Sequence, residues 1–212
     1  MIPAPEALAR LREGNRRFAS NARGAGADPS PGQERRLELT KAQQPFAIIL
    51  GCSDARVPAE LVFDQGLGDL FVIRVAGNIV APSQVASVEF AAARFETRLV
   101  VVLGHSECGA ILATLDELRR PAESQSRHLH AIVDRVRPSV EGLLHGGLGL
   151  DPDVLVRQAV RANIRASADH LRHGSEVLEQ LIREEGVLVV GAEYSLDTGV
   201  VDFFDGVPPS AR

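Results

Sequence analysis

The sequence predicts an α/β protein, with a central and mostly parallel β-sheet of about four parallel strands plus an antiparallel C-terminal strand, flanked by helices. Two unbroken apolar runs, Phe46–Leu50 and Leu99–Leu103, carry most of this prediction. Short β-branched runs closed by glycine are the pattern of strands buried on both faces of a parallel sheet. The third observation is their alternation with helix-length segments, as right-handed βαβ units require.

Residues 5–20 read as an amphipathic helix, with Leu8, Leu11 and Phe18 on one stripe and arginines opposite. Ala22 to Gly32 is rich in Gly, Ala and Pro and reads as a loose connection. Residues 1–32 therefore form a predicted N-terminal helical arm, better placed to clasp a partner subunit than to cover its own. A short helix over Gln33–Ala42 leads to the first strand, 46–51. Pro58 suits the first turn of a short helix over Ala59–Gln65, and Gly66–Asp69 turns into a second strand, Leu70–Arg74.

Asn78 and Pro82 flank the next loop, after which Val85, Val88, Ala92 and Phe95 give residues 83–96 helical spacing. The third strand, Leu99–Leu103, precedes a helix from Cys108 to Arg119. Residues 122–137 and 152–172 read as two helices parted by the glycine-rich Leu143–Gly149 segment. Ser175 caps a helix that Gly186 stops, and Val187–Ala192 is the fourth strand. Asp197–Gly199 is a turn into a fifth strand, Val200–Phe204. No repeat or linker divides the chain, so 1–212 is read as a single domain.

A net charge of −5 without a basic stripe argues against a nucleic-acid partner. No apolar run approaches the ~20 residues of a membrane helix. Met1–Glu6 lacks the basic region and apolar core of a signal peptide. Two cysteines make no disulfide framework, so a cytoplasmic location is expected.

The polar residues with chemistry in them gather where strands end. Cys52-Ser-Asp54-Ala-Arg56 follows the first apolar run, and Gly104-His105-Ser-Glu-Cys108-Gly109 follows the third strand. Ligands of open α/β sheets bind at that carboxyl edge. Cys108 lies three residues after His105, so both side chains can reach one ion. Two cysteines, one histidine and one open or oxygen-filled position make a catalytic zinc pattern rather than a closed structural one. Asp54 is close enough to bind the metal or to accept a hydrogen bond from its water. Arg56 would keep that carboxylate ionised and directed, where an exposed pair elsewhere would be worth little.

Competing readings fare worse. A redox pair would have to join cysteines 56 residues apart, and no Cys-x-x-Cys occurs. A phosphate-binding loop at Gly104–Gly109 lacks its Lys-Ser/Thr, since Ala110-Ile111 follows. His128 and His130, two apart, point to different sides of a helix, His170 and His173 read as solvated histidines near a helix end, and His145 lies in a glycine-rich loop without a signal.

Taken together, these motifs resemble the signature pair of β-class carbonic anhydrases. The resemblance extends to Gln43-x-Pro45, to Phe71–Asn78, and to Tyr194-x-Leu-Asp-Thr-Gly199. It implies one Zn2+ per chain, held by Cys52, His105 and Cys108, and reversible hydration of carbon dioxide to bicarbonate and a proton through zinc-bound hydroxide. It also implies catalytic roles for Asp54 and Arg56, with Asp54 able to take the fourth metal position in a closed form. Gln43, Phe71, Ala76, Phe90 and Gly109 would line the substrate pocket, which the family builds at a dimer interface. Phe90 stands where some relatives have tyrosine, and Ala76 where some have valine. Self-association as a dimer or tetramer is expected. A hydrolase of carbon disulfide or carbonyl sulfide, or a module with purely structural zinc, would use the same ligands.

Overall fold

Every residue of the first strand, Ala47–Gly51 (β1), is buried, and so is every residue of Leu99–His105 (β3). Their side chains alternate between two layers, as a pleated strand dictates. Ile48, Leu50, Val100 and Val102 enter one apolar cluster, whereas Ala47, Ile49, Leu99, Val101 and Leu103 enter another on the opposite face. A strand with two buried faces has no room for polar alternation, which is why these runs are continuous in sequence.

This is a computed structural model, and it describes residues 2–22, 32–120, 126–146 and 151–209. The sheet has five strands in the order β2-β1-β3-β4-β5, where β2 is Leu70–Arg74, β4 is Leu188–Tyr194 and β5 is Val201–Asp205. All neighbours are parallel except β4 and β5, as the sequence predicts. Around it lie α1 (Ala4–Ala19), α2 (Gln33–Leu39), α3 (Ala59–Val62), α4 (Pro82–Arg94), α5 (Gly109–Arg119), α6 (Arg127–Gly146), α7 (Pro152–His173) and α8 (Glu176–Glu185). Ser175 caps α8 through a bond from the Leu178 N–H at 3.1 Å, and Gly186 ends it at φ 68°.

Two expectations are corrected. The predicted helix 122–137 begins at Arg127 among the described residues and runs on to Gly146, with Pro138 inside it. Val133, Val136 and Val140 are buried, and Leu143 and Leu144 pack on the same cluster. Burial of that stripe outweighs the one hydrogen bond that proline removes. Residues 147–149 of the predicted glycine-rich break lie outside the described residues, as does nearly all of the predicted loose connection, 23–31.

The second correction concerns the arm. Leu8 and Leu11 of α1 are wholly buried in the chain's own core, beside Phe63, Val62 and Val101. Gly14 makes that approach possible, since a Cβ there would fall 1.8 Å from the Phe63 carbonyl oxygen. Asn15 Nδ2 donates to the Val62 carbonyl at 3.1 Å and its Oδ1 accepts from the Val201 N–H at 2.8 Å. The stripe needed a partner face, and its own sheet supplies it.

Candidate metal centre

The parallel register that opposes Gly51 to Leu103 brings the ends of β1 and β3 side by side. Cys52 is the first residue beyond β1, and His105 is the last residue of β3 rather than a loop residue beyond it. Cys108 sits immediately before α5, where the N–H groups of Ala110 and Ile111 face its sulphur. Helix N-termini favour thiolates in this way. Between the last two, Ser106 ties the turn to β4, its N–H donating to the Tyr194 carbonyl at 3.0 Å.

The ligand atoms of Cys52, His105 and Cys108 lie within 4.8 Å of one another, and all three residues are buried. The two sulphurs are 4.0 Å apart. Nδ1 of His105 lies 2.8 Å from the Ser106 carbonyl, so that nitrogen carries the proton and Nε2 presents a lone pair. Nε2 is buried without a hydrogen-bond partner. An orphaned buried imidazole nitrogen facing two thiols fits a metal ion better than it fits a packed core.

Electrostatics split the two thiols, which share one hydrogen bond. The hydrogen bond from Cys108 draws the Cys52 thiol down to about 4, against the effect of burial and with help from His105 and the Asp54 and Gly77 backbone. Cys108 is pushed up, because it supplies that hydrogen bond, is buried, and lies beside the Cys52 charge. Burial opposes a charge on His105, yet the adjacent Cys52, the Ser106 carbonyl and Asp54 outweigh it and raise its pKa.

Beside this cluster, Arg56 grips Asp54 by both oxygens, Nε to Oδ1 at 2.9 Å and an Nη to Oδ2 at 2.7 Å. The Arg56 side-chain bonds hold the carboxyl well below the usual carboxylate range, with its own N–H to Oδ1 at 3.0 Å adding to them. Asp54 Oδ2 is 3.8 Å from His105 Nε2, so the carboxylate lies at the open side of the three donors.

The stretch Phe71–Asn78 carries part of the resemblance, but the sequence does not disclose that it supports this loop. Arg74 donates to the carbonyls of Cys52 at 3.0 Å and Asp54 at 2.6 Å, and the Gly77 N–H donates to the Cys52 sulphur at 3.3 Å. Arg74 could have been found as a charge ending an apolar strand; Gly77 gives no such signal beyond being glycine.

The expected pocket residues are not all brought to the cluster. Ala76 lies in the turn that carries Gly77, and Gly109 opens α5 beside Cys108 with open space around it. Phe71 and Phe90 instead form an aromatic trio with Phe95, with centroids 5.5 to 6.3 Å apart. Gln43 precedes β1 whereas Cys52 follows it, so the five residues of that strand separate them by roughly 16 Å. One chain cannot put that amide beside its own metal donors.

A family model described as carbonic anhydrase matches residues 47–201, which span both signature motifs. The chain belongs to this family. It is 39% identical over 192 residues to a carbonic anhydrase of Mycolicibacterium smegmatis, covering 91% of this chain and 89% of that one. Carbonic anhydrase 2 of Mycobacterium tuberculosis is 36% identical over 189 residues, covering 89% and 87%. The structure of the β-carbonic anhydrase CcaA superposes with a TM-score of 0.74 at 28% identity, covering 93% and 95%. The β-class fold is also that of the Aspergillus fumigatus enzyme CafA, with a TM-score of 0.74 at 24% identity over 97% and 92%. The chain is therefore a β-class carbonic anhydrase by family, a zinc-using lyase whose family reaction is carbon dioxide hydration.

Proposed function

We propose that this chain hydrates carbon dioxide reversibly with one zinc ion held by Cys52, His105 and Cys108, and with Asp54 and Arg56 tending the open position. The observation that carries the reading is the convergence of those three donors beside a carboxylate that an arginine holds off them. Zinc, when bound, supplies Lewis acidity that makes a water nucleophilic near neutral pH.

The chain's own residues do the rest. Asp54, kept ionised by Arg56, is an acceptor only, so it takes the hydrogen of a water at the open position and turns that water's lone pair toward the substrate. Arg56 is also anchored to the Glu107 carbonyl at 3.3 Å, which keeps the pair between the two signature loops. Ala76 and Gly109 border the open position from the turns beside the donors, whereas the aromatic surface of Phe71 and Phe90 reaches an open position from a second copy of the chain, an apolar wall that suits an uncharged linear molecule. Gln43 supplies amide hydrogens to that wall from a second copy of the chain, because it lies at the far edge of its own sheet.

That geometry supports assembly as a homodimer or tetramer. Phe90 is 53% exposed, and Leu37, Leu61 and Leu67 are also exposed. Of these, Phe90 adjoins Phe71 and Phe95, and that partly exposed aromatic group suits contact with a second copy. The β-carbonic anhydrases of Sordaria macrospora, which share the fold with a TM-score of 0.73, are described as tetrameric. The two thiols, 4.0 Å apart and unbridged, suit the reducing cytoplasm. Among the described residues no helix is long and apolar enough to cross a membrane.

Stopped-flow hydration of carbon dioxide by metal-quantified protein tests the reading. Two thiolates and a neutral imidazole cancel the charge of Zn2+, so activity is expected to rise on the alkaline side of about 7, the reference for three imidazoles. Full activity in zinc-free protein, or a midpoint well below neutrality, would overturn it.

A further inference from the structure

Two small polar side chains interrupt the apolar stripe of α7. Asn163 and Ser167 lie one helical turn apart among Val160, Ile164 and Ala168, and are only 2% and 5% exposed. Burying an amide and a hydroxyl is unfavourable unless each finds a partner. Asn163 Nδ2 donates to the Gly77 carbonyl at 2.8 Å, and Ser167 Oγ donates to the Asn78 carbonyl at 3.0 Å.

Those two carbonyls belong to the turn behind Cys52. Gly77 has φ 70° and Asn78 has φ 43°, so the backbone is left-handed at two successive residues. For Asn78, which has a Cβ, that costs about 1–2 kcal/mol and needs surroundings that impose it. From the same turn the Gly77 N–H points at the Cys52 sulphur, 3.3 Å away. A Cβ on Gly77 would meet Ala110 at 3.1 Å, so the turn is closely packed on its other side as well.

We propose that Asn163 and Ser167 are positioning residues of the metal centre, locking the Gly77–Asn78 turn so that the Gly77 N–H stays on the Cys52 sulphur. The inference rests on Cys52 being a zinc ligand, as proposed above. An N–H donated to a thiolate fixes its lone pairs and withdraws charge that it would otherwise give the metal. Partners bonded directly to ligands are worth about 10–100-fold in metal affinity or activity. Asn163 acts one bond further back, so the lower end applies.

The test uses zinc-loaded full-length protein and follows zinc release to an excess of chelator, together with the thiolate-to-metal absorption band of the cobalt-substituted protein. Asn163→Leu should release zinc about 10-fold faster and shift the band. Ser167→Ala should do the same to a smaller degree, and Ser167→Thr, which keeps the hydroxyl, should behave as the parent. Leu171→Ala, in the same helix and wholly buried, supplies a control that lowers stability and removes no hydrogen bond to the turn. Parental release and an unmoved band in Asn163→Leu, or equal changes in Leu171→Ala, would overturn the proposal. If Asn163→Leu does not fold, the contrast between Ser167→Ala and Ser167→Thr decides it. Parent protein that takes up no zinc would overturn the ligand assignment and the positioning with it.

Discussion

At the carboxyl ends of β1 and β3, a single chain assembles three metal donors, a gripped carboxylate and the backbone bonds that hold them. On the flank of β2 the same chain leaves Phe90 half in solvent, and it sends Gln43 to the opposite edge of the sheet. The first region is closed by intrachain register; the second presents an aromatic wall that is half exposed among the described residues. A ligand set can be completed by strands of one sheet, whereas a pocket between surfaces needs a second surface. The two regions should therefore fail in different ways when disturbed.

The largest effect is expected at the donors. Cys52→Ala, His105→Ala or Cys108→Ala should each lose zinc and reduce hydration to the uncatalysed rate. Elemental analysis showing Cys52→Ala at full occupancy would break the distinction at its stronger end. Next comes Asp54→Asn, which should keep zinc and lower kcat/KM by about 100-fold, because an acceptor oriented by Arg56 is replaced by an amide. Loss of zinc in this variant would mean that Asp54 is a structural ligand.

A paired experiment then separates the protomer's own core from its contact surface. Leu8→Ala should destabilise the protomer by about 2–5 kcal/mol, since Leu8 is wholly buried in the core. Phe90→Ser should lower the mass seen by light scattering while leaving zinc content unchanged. An unaltered mass at low concentration would show that the aromatic trio is not where copies meet.

The smallest effect concerns pH. Arg56 depresses the folded pKa of Asp54 below its unfolded value near 3.9, so the pair adds stability above that value. This contribution is lost as pH falls through the lower, folded value. The gap in thermal midpoint between metal-free parent and metal-free Asp54→Asn should grow slightly as His105, whose charge Asp54 also favours, protonates below neutrality, and should then close as pH falls below about 4. A gap that keeps growing below about pH 4 would mean that another partner governs the carboxylate.

How much of this the sequence discloses depends on the range over which each feature is encoded. Cys52, His105 and Cys108 were legible because strand ends and a three-residue spacing are local signals. Gly186 and Ser175 were legible for the same reason. The α1 stripe announced a buried face but not what it faces, and the answer came from Phe63 and Val101, far along the chain. Pro138 gave a local stop signal that the burial of Val140 overrode. Asn163 and Ser167 bond to carbonyls 86 and 89 residues away, and no periodicity in α7 points there. Two small polar residues one turn apart within an apolar stripe were the only trace.

The parallel pairing of Ile48 with Val100 carries a kinetic consequence. The two strands that deliver the donors are joined only after a loop of some fifty residues has closed, and parallel pairs of such separation form late and slowly. Before that event Cys52 has no His105 beside it, and the unfolded chain offers zinc no preassembled site. Metal should thus leave the refolding rate nearly unchanged and slow the unfolding rate instead, so that zinc governs how long a folded molecule lasts rather than how quickly one is made.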